Sequence, residues 1–302
     1  MPRVFYGPHN ENFATYANAG NANLGRFPLG SYLVLPDGRK YNFALNDGTA
    51  EVAGRLYQSV IAVANHVNVA ADVARAIDAT SISATLGATL AAIDIYAEGV
   101  VHINDAVGEG YAWRIKRARA AGQAHAAAAA SGILTVALEA AEKVQVALTT
   151  ASEMSFTRNR FHQVLITAAP PPGGLAGVSP GVAAADRFYW SQVQGYAAVL
   201  QDLTLYEGLP VQASIAVAGA VEALKRRMRT GGTTASILTT AVTLVFLDSA
   251  GTTTALQAPG MASTAATVDV TAGIAYNAPP VGICIKANAD TEEALINLTY
   301  LD

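Results

Sequence analysis

With 302 residues, 52% of them hydrophobic and 14% charged, the chain is long enough for more than one core and too apolar for intrinsic disorder. A net charge of −4 lacks the basic excess of a nucleic-acid-binding module, and a single cysteine rules out an internal disulfide framework or a cysteine metal cluster. No apolar run reaches the ~18 residues of a membrane span, and the opening residues show no secretory leader, so synthesis in a cytoplasm is expected.

Residues 1–30 are rich in Asn, Gly and aromatics, and Gly7-Pro8 and Phe27-Pro28 interrupt any regular element. The sequence predicts an extended N-terminal arm here, whose rings Phe5, Tyr6, Phe13 and Tyr16 dock on a partner. A hairpin follows. Ser31–Leu35 and Lys40–Leu45 are strand-prone, and Pro36-Asp37-Gly38-Arg39 supplies the turn. Residues 50–80 carry no decisive pattern. Alternation then predicts strands over Ser81–Gly87, Gly99–Asp105, Tyr111–Arg117, Ile133–Leu138 and Lys143–Leu148. Ala118–Ala130 has high helix propensity, but Gly122 and the flanking strands favour a loop or one short helix.

Pro170-Pro171-Pro172-Gly173-Gly174 is the strongest punctuation in the chain and predicts a linker over 169–185. Strands resume at Phe188–Leu200, with a turn at Tyr206–Val211 entering the next strand. Thr239–Leu247, Thr267–Val270, Val281–Ile285 and Ala294–Leu301 are β-rich. Strands at this density, without βαβ rhythm, predict a mainly β protein built of β-sandwich or β-barrel domains. The expected division is the arm (1–30), a β-rich domain (31–168), the linker (169–185) and a barrel-like domain (186–302) with an insertion at about 225–279.

The reactive side chains do not gather. His9, His66, His102, His125 and His162 lack metal-ligand spacing, and structural or solvent roles are expected for them. Gly108-Glu109-Gly110 and Gly231-Gly232-Thr233-Thr234 lack the frames of nucleotide-binding loops and read as turns. Two basic clusters, Arg114/Lys116/Arg117/Arg119 and Lys225–Arg229, read as solvated or paired charge. Cys284 lies in an apolar run as a buried, inert thiol, and Trp190 and Tyr196 read as core. No nucleophile elbow is present. Carboxylates paired only in three dimensions stay open. No catalytic residue, cofactor or metal is expected.

Two segments carry a family likeness. Phe188-Tyr189-Trp190-Ser191-Gln192-Val193-Gln194-Gly195-Tyr196 runs on to Gly208-Leu209-Pro210-Val211, and Pro280–Ala287 precedes Leu295–Leu298. This resembles the closing half of tailed-bacteriophage head proteins, and the opening Phe5-Tyr6-Gly7-Pro8-His9-Asn10-Glu11-Asn12-Phe13 resembles that of structural proteins encoded beside major capsid genes. The stretch Lys225–Pro279 departs from the pattern. The resemblance implies a capsid decoration, or cement, protein on the virion surface. It would bind the outer face of the major capsid protein shell and stabilise the head, perform no catalysis, and touch neither nucleic acid nor membrane. Low charge and small side chains also favour association, and shell symmetry points to a homo-oligomer such as a trimer. The alternatives are a tail or head–tail junction protein and a glycan-binding virion surface protein. The major capsid protein itself is disfavoured by the β-dense pattern, and a glycosidase-like protein would need two close carboxylates.

Overall fold

The computed structural model describes residues 4–8, 10–17, 27–117, 124–224, 278–299 and 301, together with the backbone of 244–247 and 253–256. The protein is mainly β, with several sheets and no closed barrel among the described residues. The path opens with β1 (Val4–Tyr6), a 3-10 turn (Glu11–Phe13), β2 (Tyr16–Ala17), β3 (Tyr32–Val34), β4 (Lys40–Leu45) and β5 (Leu56–Gln58). An excursion then carries a second 3-10 turn (Ala64–His66), β6 (Val69–Ala70), β7 (Ser81–Thr85), β8 (Val100–Asp105), β9 (Ala112–Arg114), β10 (Ile133–Ala137) and β11 (Glu153–Thr157). The return consists of β12 (Leu165–Ile166), β13 (Leu175–Val178), β14 (Arg187–Leu200), β15 (Pro210–Ala213), β16 (Val221–Ala223), β17 (Leu244–Leu247), β18 (Thr253–Leu256), β19 (Pro280–Lys286) and β20 (Glu293–Leu298).

The chain divides into two compact units, 1–225 with 278–302, and 226–277. In the second, β17 pairs antiparallel with β18. The basic stretch Lys225–Arg229 and the β-rich segment Thr267–Val270 lie outside the described residues. The division does not fall at Pro170–Pro172. The prolines lie between β12 and β13, and both strands pair with β5. β13 itself falls inside 169–185, and β4 and β14, on either side of that stretch, pair in the same sheet, so the punctuation marks a turn within it.

The first unit is organised on β14. The large sheet runs β1-β3-β4-β14-β20-β19-β15-β16, with β2, β5, β12 and β13 branching from it. The first half of β14 pairs with β4, Phe188 opposite Leu45 and Trp190 opposite Phe43. Its second half pairs with β20, Gly195 opposite Leu298 through Leu200 opposite Glu293. Between the halves the register slips at Gln192/Gln194, and Gly195 takes a φ of +87° that a side chain would resist. One 14-residue strand thus serves two pairing partners and two cores. Val193, Val199, Ile296 and Val281 belong to one; Phe43, Phe188 and Trp190 belong to the other.

The N-terminal segment is not a free arm. β1 pairs in parallel with β3, and β2 pairs antiparallel with β14. Phe5 lies 4.3 Å from Phe27 and 6.4 Å from Trp190 between ring centroids; Tyr16 lies 5.8 Å from Phe43. The aromatics that punctuate the segment are what hold it, since burying such rings outweighs the irregular backbone.

Residues 69–156 build a third core on their own, around Tyr96, Trp113, Phe156, Ile82 and Leu134. Sheets β6-β11-β8-β9 and β10-β7 enclose it. Lys143–Leu148 is not a strand. Val144 and Leu148 are buried, as their alternation requires, but their amides bond to Ala79 and Arg75 in a loop, not to a strand. Residues 124–130 contain no helix; Ala128 makes a single β-bridge with Ala91.

Candidate binding site

The four rings expected to meet a partner separate into two pairs. Phe5 and Tyr16 pack against the protein's own core, and the Tyr16 hydroxyl donates to the Glu11 carboxylate. Tyr6 is 85% exposed and Phe13 is 61% exposed. Tyr6 leaves the fold on β1, the terminal strand of the large sheet. Phe13 stands instead at the mouth of a cavity of about 420 Å³.

Six chain segments build that cavity. The 3-10 turn gives Asn12 and Phe13, and the hairpin after β3 gives Arg39. The loop before β5 gives Ala53 and Gly54, the end of β13 gives Val178–Pro180, β14 gives Gln192 and Tyr196–Ala198, and β20 gives Glu293. Local bonds fix these walls. The Asp37 carboxylate accepts from the Arg39 amide at 3.1 Å and from its Nε at 2.7 Å, so the turn residue Asp37 presets the guanidinium. The Gly54 amide donates to Ser179 O, and the Leu200 amide donates to Gly54 O. Gly54 has a φ of +70°, and a Cβ there would meet Glu293 Cγ at 3.2 Å. Gln192 Nε2 donates to Tyr196 O at 2.8 Å and braces the bend in β14.

Tyr196 is 57% exposed, which corrects its assignment to the core; Trp190 is buried as read. The register slip before Gly195 turns Tyr196 outward and Ala197 and Val199 inward. Below the rings, Asn12 is 1% exposed and neither of its amide atoms has a hydrogen-bond partner. The neighbouring Tyr41 hydroxyl is also unbonded. Burial pushes its pKa up to about 12, against the pull of the Arg39 charge. The Asn12 amide lies near enough to favour the ionised phenol, but no atom of it reaches the hydroxyl with hydrogen-bond geometry. The cavity therefore combines two exposed rings, one cation and one carboxylate, while the Asn12 amide lies sealed beneath them.

The other sequence candidates have structural surroundings. Arg114 and Arg117 reach Glu98, at 3.7 and 3.0 Å. Glu98 is buried and accepts from the Leu29 amide at 2.9 Å, joining the third core to the N-terminal segment. Burial raises its pKa, while Arg117 and Arg114 pull it down. His66 contacts the Tyr96 hydroxyl and Thr89 O, and His125 Nε2 accepts from the Tyr96 amide. His162 is buried with both ring nitrogens unbonded, and burial pushes its pKa down to about 3. Cys284 is buried, and burial raises its thiol pKa. His9 and Arg119 lie outside the described residues.

No protein family, curated protein or solved structure matches the chain. Sequence spacing gave no hint of Asn12, Arg39, Gln192 and Glu293 as one site, because they converge only through strand pairing.

Proposed function

We propose that the protein is a structural component of a tailed-phage virion that binds the outer face of the capsid shell as a decoration protein. The observation that carries this reading is the terminal strand β1. It pairs on one side only among the described residues, and Val4 and Tyr6 stand exposed from it while Phe5 points inward. An open, apolar edge invites a further strand from a neighbour, with backbone bonds giving affinity and alternate side chains giving selectivity. Tyrosine is among the residues that anchor interfaces. Repetition over a shell would raise weak contacts to high avidity. The resemblance in Phe5–Phe13 and in Phe188–Tyr196 supports the same assignment.

The test is co-sedimentation of the purified protein with phage heads stripped of their surface proteins. Saturable binding at hundreds of copies per head is expected, with about tenfold weaker binding for Tyr6→Glu, the scale of one interface anchor. A dozen or fewer copies would move the protein to a head–tail junction. No sedimentation with heads would remove the proposal.

A further inference from the structure

The cavity between Phe13 and Tyr196 offers chemistry that edge pairing does not use. Its walls carry one guanidinium, Arg39, and one carboxylate, Glu293. The first is a donor and the second an acceptor, so a matching ligand brings an acceptor and a donor together. A hydroxyl does both. Arg39 is engaged by Asp37, and Glu293 lies on the same wall set, so neither sign of charge prevails and an ionic ligand gains little. Two exposed rings, Phe13 and Tyr196, offer flat apolar faces at the mouth. A volume of about 420 Å³ falls in the range of small-molecule pockets.

We propose that this cavity binds a neutral sugar of one or two pyranose rings. The apolar face of a ring lies against Tyr196 or Phe13. Its hydroxyls donate to the Glu293 carboxylate and accept from the Arg39 guanidinium. Glu293 is the single carboxylate among the lining residues, and glycoside hydrolysis ordinarily uses a pair, so the assignment is to binding. The proposal is independent of shell binding, and Tyr6 has no part in it.

Saturation-transfer NMR tests it. The probes are glucose, galactose, mannose, N-acetylglucosamine, lactose and maltose, with Nα-acetyl-lysine amide and succinate as cationic and anionic probes. The expected result is saturation of at least one sugar's ring protons, with affinity falling about tenfold in Tyr196→Ala and in Phe13→Ala. Tyr6→Ala, outside the cavity, should bind as the parent does. Both cavity rings are exposed, so melting temperatures within a few degrees of the parent would show that each variant folds. The proposal is overturned if no sugar is saturated, if saturation persists unchanged without both rings, or if the lysine or succinate probe is preferred. Loss of head binding by Tyr6→Glu with sugar binding intact, or the reverse, separates the two proposals.

Discussion

Two regions of the first unit reach a β-rich core by opposite routes. The framework around β14 joins strands far apart in sequence: β4 and β20 flank one strand though some 250 residues separate them. The excursion 69–156 draws its core only from itself and pairs short strands through many bends. Six of the ten described non-glycine residues with positive φ lie there or just before it: Asn68, Asp78, Asp94, Glu98, Ala106 and Ser131. Asn and Asp tolerate that conformation, and the asparagine and two aspartates supply half of the six. The framework is specified by side-chain fit across distance, the excursion by local backbone turns. Entropy explains the division, since closing long loops requires the larger reward of a shared aromatic core.

The sharpest way to break this contrast is at Trp190, buried among Phe5, Phe27 and Phe43. Trp190→Ala should lower unfolding free energy by about 4 kcal/mol in denaturant titration. Hydrogen exchange should accelerate more in β4 and β14 than in β8 and β11. Equal acceleration in both regions would merge them into one cooperative block.

The junction comes next. Glu98→Ala removes the partner of Leu29 and of two arginines and should destabilise by about 3 kcal/mol. Glu98→Gln, which keeps the shape, should lose less. Gly195→Ala tests the bend in β14: a Cβ would come within 2.8 Å of Arg39 Cγ, and about 1–2 kcal/mol should be lost in the melt. A neutral effect would show that the bend does not need glycine.

The smallest effect is in pH. Burial pushes the Glu51 carboxyl up to about 8, so the folded state keeps a proton that the unfolded chain releases near 4.5. Stability therefore falls as pH rises through that window. His162 acts oppositely: pushed down to about 3 from 6.5, it withholds a proton that the unfolded chain takes up, so stability falls as pH drops below 6.5. Of the two, only Glu51 acts between pH 6.5 and 8. The melting temperature should decline across that interval, and Glu51→Gln should flatten the decline.

What the sequence made legible follows the same contrast. The 31–45 hairpin was readable because its turn is local: Gly38 takes a φ of +86° and Asp37 caps Arg39. Alternation likewise found the strands at Ser81, Val100 and Ile133. It failed at Lys143–Leu148, where burial alternates but the hydrogen-bond partner is a loop, a fact that periodicity does not carry. It failed at the N-terminus, where the partners of Phe5 and Tyr16 include Phe43 and Trp190, distant in sequence. The cavity was least legible. Tyr196 alternates with Ala197 as any strand residue would, and only the slip beside Gly195 sets which of them faces out.

The attachment of residues 226–277 has an engineering consequence. β16 and β19 both run antiparallel to β15, so the chain leaves β16 beside Pro210, whose carbonyl accepts from the Leu224 amide, and enters β19 beside Ala213, whose amide donates to Pro279 O. The two cut ends of the scaffold therefore stand two strand spacings apart across the sheet and about three residues apart along it, roughly 14 Å. A tether that crosses over β15 would bridge that gap, and so would a guest domain whose own termini stand that far apart. The position is a natural socket for cargo display, one that leaves every strand of the β14 sheet in its native register.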